Sequence, residues 1–276
     1  MQHRKLGVIL GVAAIIVMAT AAYAANGPQP WELGLQQSDS ERMTDIIGLH
    51  NFVLGIITVI CLFVLALLIW IMVRFNARSN PVPSKNTHNT LLEVIWTVVP
   101  VMILVAIAIP SFRLLYFEDV IPKADLTIKA IGKQWYWTYE YPDNGNFTFD
   151  ALMLKDEDAA KRGEPRLLGA DNHVVVPVGK VIRVLTTGAD VIHSWALPAF
   201  GVKMDAVPGR INETWFKADR EGIYYGQCSE LCGARHAFMP IEVEVVSQDK
   251  FNAWVEEAKK KFASVDGADT RVAAAH

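Results

Sequence analysis

Two stretches of this chain are too long and too apolar for a small soluble fold. From Ile46 to Val73 there is no formal charge, and from Val94 to Phe112 a further 19 residues carry none. Each is close to the ~20 residues that a helix needs to cross the hydrocarbon of a bilayer. Pro100 and Pro110 are compatible with a membrane helix that has packed neighbours, or with its ends. Between the two runs, RFNARSNPVPSKNTHNT carries Arg74, Arg78 and Lys85 and no acid before Glu93. The positive-inside rule makes this loop cytoplasmic and exports both flanks.

The start of the chain agrees with that topology. MQHRKLGVILGVAAIIVMATAAYAANG has Arg4 and Lys5, a short apolar core and small residues at Ala22 and Ala24, the pattern of a secretory signal cleaved before Ala25. The expected organisation is a signal peptide at 1–24, an exported segment at 25–45 and a transmembrane hairpin at 46–115, with spans at about 46–73 and 92–114 and a cytoplasmic loop at 74–91. The chain is thus expected to pass twice through the inner (plasma) membrane, with the lipid bilayer as one partner and the C-terminal domain on the periplasmic side.

After Phe117 the composition changes. LTIKAIGKQWYWTYEY, VVVPVGKVIRVLTT, ETWFKA and PIEVEVVS are strand-like runs separated by Pro, Gly, Asn and Asp turns. Short strands at this spacing predict a β-sandwich or Greek-key barrel of roughly 130 residues, placed at 116–247. If LTIKAIGKQWYWTYEY is one continuous strand, Trp135 and Trp137 share a face and Tyr136 points the other way. In SQDKFNAWVEEAKKKF, Phe251, Trp254, Val255, Ala258 and Phe262 recur at helical spacing behind a capping Ser247. A packing helix and tail are therefore expected at 248–276, with no readable signal after Ala263.

Chemistry concentrates between Tyr224 and Pro240, in YYGQCSELCGARHAFMP. Exported domains use disulfides, and two cysteines alone favour that reading. The company of Cys228 and Cys232 points elsewhere: His236 and Met239 follow closely enough for one loop to present two thiolates, an imidazole and a thioether. Soft sulfur with imidazole suits copper far better than magnesium, calcium or manganese. His193, in DVIHSWALP, can supply a second imidazole from a strand end, whereas His173 follows a polar turn and is expected to be exposed. Cys61 lies inside the first span and reads as a small apolar residue. Two bridging thiolates with two histidines suit a pair of coppers sharing one electron, and so electron transfer rather than bond-making.

CSELCGARHAFM, with IHSW, IGKQWYWTYEYP, KMDAVPGRINETWF and HNTLLEVIWTVVP, resembles subunit II of the bacterial and mitochondrial haem-copper cytochrome c oxidases, over roughly three-quarters of the chain. The resemblance implies a membrane-anchored all-β protein, a two-helix hairpin followed by a cupredoxin-like Greek-key β-barrel holding the dinuclear copper A centre. Cys228 and Cys232 would bridge both coppers, and His193 and His236 would each bind one. Met239 and the backbone carbonyl of Glu230 would be weak outer ligands. The Glu230 carboxylate would also reach a magnesium ion shared with the catalytic subunit. Trp135 would receive the electron from cytochrome c, and Glu93 would stand at the mouth of a proton path into the catalytic haem-copper subunit.

Charge adds an independent reading. The chain has a net charge of -3, which gives no sign of nucleic acid as a partner. From Glu118 onward there are 19 Lys and Arg against 24 Asp and Glu, a difference of -5. An acidic exported face steers a basic soluble donor, although solubility alone also explains it. Asp190 and Asp205, flanking the His193 segment, are the candidate docking acids. Together these readings predict the electron-accepting subunit of a cytochrome c oxidase, passing electrons to haem in a partner where oxygen is reduced and protons are pumped. The alternative is a membrane-tethered copper-delivery protein. A quinol oxidase subunit would lack the ligands, and a nitrous oxide reductase would need a large further domain.

Overall fold

The computed structural model describes residues 27–262, so the expected signal at 1–24 and the tail after Ala263 lie outside it. The described chain falls into a helical unit, Thr44–Val120, and a β unit formed by what precedes it together with Ile121 onward.

The helical unit contains most of α1 (Glu41–Arg74) and the whole of α2 (Thr90–Asp119) with its C-cap Val120. Both are long and apolar enough to cross a membrane, and neither apolar stretch is buried. Asn89 caps α2 by accepting from the Leu92 amide at 3.2 Å. Both prolines lie inside α2.

The β unit is a sandwich. Five strands form one sheet in the order β3-β2-β1-β5-β8: β3 is Phe147–Ala151, β2 Tyr136–Tyr141, β1 Leu126–Lys133, β5 Val181–Gly188 and β8 Asn212–Lys217. Residues in β1 and β5 alternate between buried and half-buried, the period-2 signature of a sheet with one face inward. These two strands pair parallel from Leu126↔Ile182 to Gly132↔Gly188. A three-stranded sheet, β4-β10-β9, comprises Val174–Pro177, Pro240–Val246 and Gly222–Gln227; β6 (His193–Leu197) pairs antiparallel with β7 (Val202–Ala206). Ile128, Trp137, Tyr139, Trp195, Phe216 and Ile241 are wholly or almost wholly buried in one core.

A short helix, α3 (Asp156–Arg162), follows β3, and α4 (Gln248–Phe262) closes the unit. Ser247 caps α4 through its hydroxyl, which accepts from the Lys250 amide at 3.4 Å. Phe251, Val255 and Ala258 are buried, Trp254 tilts on Tyr141 with ring centroids 5.1 Å apart, and Phe262 stacks on Phe149 at 4.9 Å. The face read from helical spacing is the one that packs.

The segment before the first helix, with that helix's first residues up to Met43, also belongs to the β unit. The Asp39 carboxylate, buried to 3% exposure, pairs with Arg220. Arg42 donates to the Thr214 hydroxyl at 3.0 Å and the Trp215 carbonyl at 3.1 Å, and Ser40 donates to the Phe200 carbonyl at 3.0 Å.

Two local expectations are corrected. The run containing Trp135 is not one strand: β1 ends at Lys133, β2 starts at Tyr136, and Lys133 pairs with Tyr136. The Gln134–Trp135 turn lifts Trp135 off the sheet face on which Trp137 is buried. His173 is not a solvated histidine. Its side chain is 29% exposed and lies 3.0 Å from Glu244 Oε2, because the residue leads directly into β4 beside β10.

Candidate metal centre

The loop from Cys228 to Met239 connects β9 to β10. Gln227↔Pro240 pairing clamps its ends, helped by the Cys228 amide donating to the Met239 carbonyl at 3.4 Å. The Ser229 amide donates to the Ser194 carbonyl at 3.0 Å and ties the loop to β6, whose first residue is His193. In this way a strand end and a distant loop meet.

The donor atoms form a chain of near-equal steps. His193 Nδ1 lies 3.9 Å from Cys228 Sγ, which lies 3.8 Å from Cys232 Sγ, which lies 3.6 Å from His236 Nδ1. Each sulfur also has a weaker donor: the Glu230 carbonyl oxygen is 3.4 Å from Cys228 Sγ, and Met239 Sδ is 3.6 Å from Cys232 Sγ. The sulfur separation far exceeds the ~2.05 Å of a disulfide, and both cysteines are unpaired and buried. The ligand atoms of His193, Cys228 and Cys232 lie within 4.8 Å of one another, as a metal site requires. Both thiols and both imidazoles face inward on one another, so the donor set fits a soft transition metal.

Electrostatics follow from this crowding. Burial pushes both thiols up. For Cys228, hydrogen bonds from the His193 ring and neighbouring backbone reverse the direction and bring it well below the usual thiol value. For Cys232, burial and then the charge of Cys228 hold the proton on. Without metal the pair gives up one proton readily and the second reluctantly; coordinated thiols lose theirs outright.

The packing around the donors is equally specific. His193 is completely buried, and Gly132 on β1 leaves it room: a Cβ there would lie 2.7 Å from the ring. The edge of Trp137 approaches His193, with centroids 6.0 Å apart, and its indole N–H donates to the Met239 carbonyl at 3.4 Å. Gly233, with a φ of 121°, turns the loop where a side chain would press on Trp135.

Trp135 is partly buried against the core and donates from Nε1 to the Cys232 carbonyl at 3.2 Å; the Gln134 amide side chain donates to the same oxygen at 2.9 Å. Asp190 is exposed, as a docking acid would be, and its carboxylate is also engaged within the site. Its carboxylate accepts from His193 Nε2 at 2.9 Å, from the Val191 amide at 2.7 Å and, through its other oxygen, from the Gln134 amide at 2.7 Å. One acid thus orients the histidine and the turn that carries Trp135. Its position three residues before His193 was visible in sequence, but the pairing was not. Gln134 and Gly132 gave no sequence signal at all.

Asp205 is exposed and engages its neighbours through its backbone carbonyl. Glu230 places only its carbonyl at the donor cluster and is itself exposed. Glu93 belongs to the helical unit, in the first turn of α2.

Known proteins give this arrangement its context. Residues 28–114 match the family described as cytochrome c oxidase subunit II, transmembrane domain, and residues 126–246 match that subunit's periplasmic domain. A relative described as probable cytochrome c oxidase subunit 2 of Rickettsia bellii (strain RML369-C) is 49% identical over 259 residues, which are 94% of this chain and 95% of that one. Cytochrome c oxidase subunit 2 of Cereibacter sphaeroides is 46% identical over 271 residues, covering 90% of this chain and 89% of its own. Among solved structures, the periplasmic domain of subunit II of cytochrome oxidase of Bradyrhizobium japonicum is 68% identical, with a TM-score of 0.49, covering 52% of this chain and 99% of that one. Two membrane-crossing helices, a C-terminal β-sandwich and near-half identity along almost the whole length lead to one assignment: the chain belongs to the cytochrome c oxidase subunit II family, a membrane-anchored component of an oxidoreductase.

Proposed function

We propose that this chain accepts electrons one at a time from cytochrome c at a dinuclear copper A centre and passes them to haem in the catalytic subunit, where oxygen reduction drives proton pumping. The observation that carries this reading is the pair of thiols 3.8 Å apart, each with its own imidazole and its own weak donor. Cys228 and Cys232 would bridge the metals, His193 and His236 would hold one each, and Met239 and the Glu230 carbonyl would complete the set. When bound, the copper pair supplies a site that takes up and releases one electron. The residues of the chain hold that site fixed: Asp190 orients His193, and Trp137 and Gln134 fasten the two ends of the Cys232–Met239 stretch through its carbonyls.

Trp135 is the point of electron arrival in this reading. Its indole reaches the carbonyl of a bridging cysteine, and a pocket of about 240 Å³ beside it is lined by Tyr136, Leu152 and Phe238 among others. Glu230 would direct its carboxylate to a magnesium ion shared with the catalytic subunit, Glu93 would stand at the proton-path entrance, and Asp205 would attract a basic donor. The domain would face the periplasm from the inner membrane.

The test is purification of the whole chain in mild detergent with its natural partners, followed by metal analysis, visible spectroscopy and electron paramagnetic resonance. An unpaired electron split by both copper nuclei, in a preparation that contains haem, is expected. A single ordinary copper, a Cys228–Cys232 disulfide in the metal-loaded protein, or copper without haem would overturn the proposal, the last in favour of a copper carrier.

A further inference from the structure

Gln134 and Trp135 are the two residues of the turn between β1 and β2, where Lys133 already pairs with Tyr136, so neither has a ladder partner. A side chain on such a turn is fixed only by what its own atoms reach. The Trp135 indole reaches the Cys232 carbonyl from Nε1 at 3.2 Å, the long end of the range for an N–H donor. Alone, that bond is a loose tether for a ring that is only partly buried.

A second donor shares the same oxygen. Gln134 Nε2 donates to the Cys232 carbonyl at 2.9 Å, and the two N–H groups together occupy the two lone pairs that a carbonyl offers. Gly233, the next residue in the loop, leaves both donors their access. A Cβ there would lie 3.1 Å from Gln134 Nε2 and 3.1 Å from Trp135 Cζ2, so the side-chain amide and the indole close over one peptide.

The backbone of Gln134 is fixed from the opposite side. Its amide donates to Asp190 Oδ2 at 2.7 Å, while Asp190 Oδ1 accepts from His193 Nε2 at 2.9 Å. One residue is therefore tied through Asp190 to a proposed metal-binding histidine and through its side chain to a proposed bridging cysteine, immediately before the indole. Gln134 is itself exposed. Without its amide group, water would take the freed lone pair of Cys232 and compete with the indole for the oxygen, at little cost to the fold.

We propose that Gln134 is the positioning residue for Trp135, holding the indole in one orientation against the Cys232 carbonyl and thereby setting how fast an electron leaves it. The inference rests on the reading of Trp135 as the point of electron arrival. It assigns Gln134 an effect on rate, not on donor affinity, because transfer between two groups falls off steeply when their contact loosens.

The experiment uses the full copper-loaded chain in detergent, labelled with fluorotryptophan, with a soluble cytochrome c as donor. Gln134→Met keeps the length of the side chain and its lack of charge but removes the N–H donors. Trp135→Phe identifies the Trp135 fluorine resonance, recorded with the copper reduced. That resonance should be single and narrow in the parent and broadened or split in Gln134→Met, with copper content, paramagnetic resonance spectrum and thermal midpoint at parental values. Single-turnover kinetics should show copper reduction within the donor complex slowed by about 10- to 100-fold, with the dissociation constant of that complex unchanged. Because the effect passes through the indole, Gln134→Met added to Trp135→Phe should slow reduction no further than Trp135→Phe alone.

A parental resonance and a parental rate in Gln134→Met would refute the proposal. So would additive slowing in the double variant, or weaker donor binding at an unchanged rate, which would make Gln134 a contact for the donor instead. Parental reduction in Trp135→Phe would overturn electron arrival at the indole, and with it the effect of Gln134 on rate.

Discussion

Asp190→Ala separates the two roles open to this acid. The parent carboxylate accepts three hydrogen bonds, from His193 Nε2 at 2.9 Å, Gln134 N at 2.7 Å and Val191 N at 2.7 Å. Gln134 and Val191 are exposed and water replaces the acid there at little cost, but His193 is wholly buried. Leaving its ring nitrogen without an acceptor costs about 1–3 kcal/mol. At ~2–4 °C per kcal/mol for a unit of this size, the thermal midpoint should fall by roughly 2–12 °C. Asp190→Asn retains an oxygen that can accept, and should lose less than half as much. The assay is tryptophan-fluorescence melting of the copper-loaded full chain in detergent, alongside stopped-flow association with a basic cytochrome c across a salt series. Asp205→Asn is the comparator and should flatten the salt dependence without moving the melt. If the Ala and Asn variants of Asp190 both melt like the parent and both slow association equally, the acid is a docking charge and the orienting role is wrong.

Gly132→Ala would put a methyl group 2.7 Å from the His193 ring, so it should destabilise the domain by about 1–3 kcal/mol and lower copper occupancy, measured by metal analysis after dialysis. Trp135→Phe keeps a ring but removes the 3.2 Å bond to the Cys232 carbonyl; it should retain copper, cost about 0.5–1.5 kcal/mol and slow copper reduction by bound cytochrome c in single-turnover kinetics. Glu93→Ala should slow turnover of the assembled complex while membrane insertion and copper content stay at parental levels; unchanged turnover from neutral to alkaline pH would make Glu93 an interfacial residue only.

The residues that were legible in sequence are those whose chemistry is unusual for their setting. Uncharged runs around Cys61 and Trp96 had no soluble explanation, and two cysteines with His236 and Met239 in one loop had few. The β-sandwich followed from turn residues between short β-prone runs, and the face of α4 from its period. What stayed hidden depends on partners distant in sequence. Asp190 read as a docking acid because it flanks the His193 segment; only the fold shows His193 and Gln134 converging on it. Trp135 read as strand because its neighbours are aromatic and β-prone, and periodicity does not reveal a two-residue turn in the middle of such a run. Nothing in the strand-like run PIEVEVVS marked Glu242 as buried. The parallel pairing of β10 with β4 buries it and sets it beside His173, and long-range parallel pairing leaves no local mark.

The clamped loop between Gln227 and Pro240 has a consequence for how metal is acquired. Five of the six proposed donors lie within residues 228–239, and β-ladder pairing, not the metal, brings the loop's ends together. The sixth, His193, is delivered by a strand already buried in the core. The conformational entropy of gathering these groups is therefore charged to folding of the sandwich. Loading should thus behave as binding to a finished receptor, with little dependence of copper uptake on temperature-induced order, and with melting of the metal-free domain remaining cooperative rather than collapsing as in small folds that exist only with their ion.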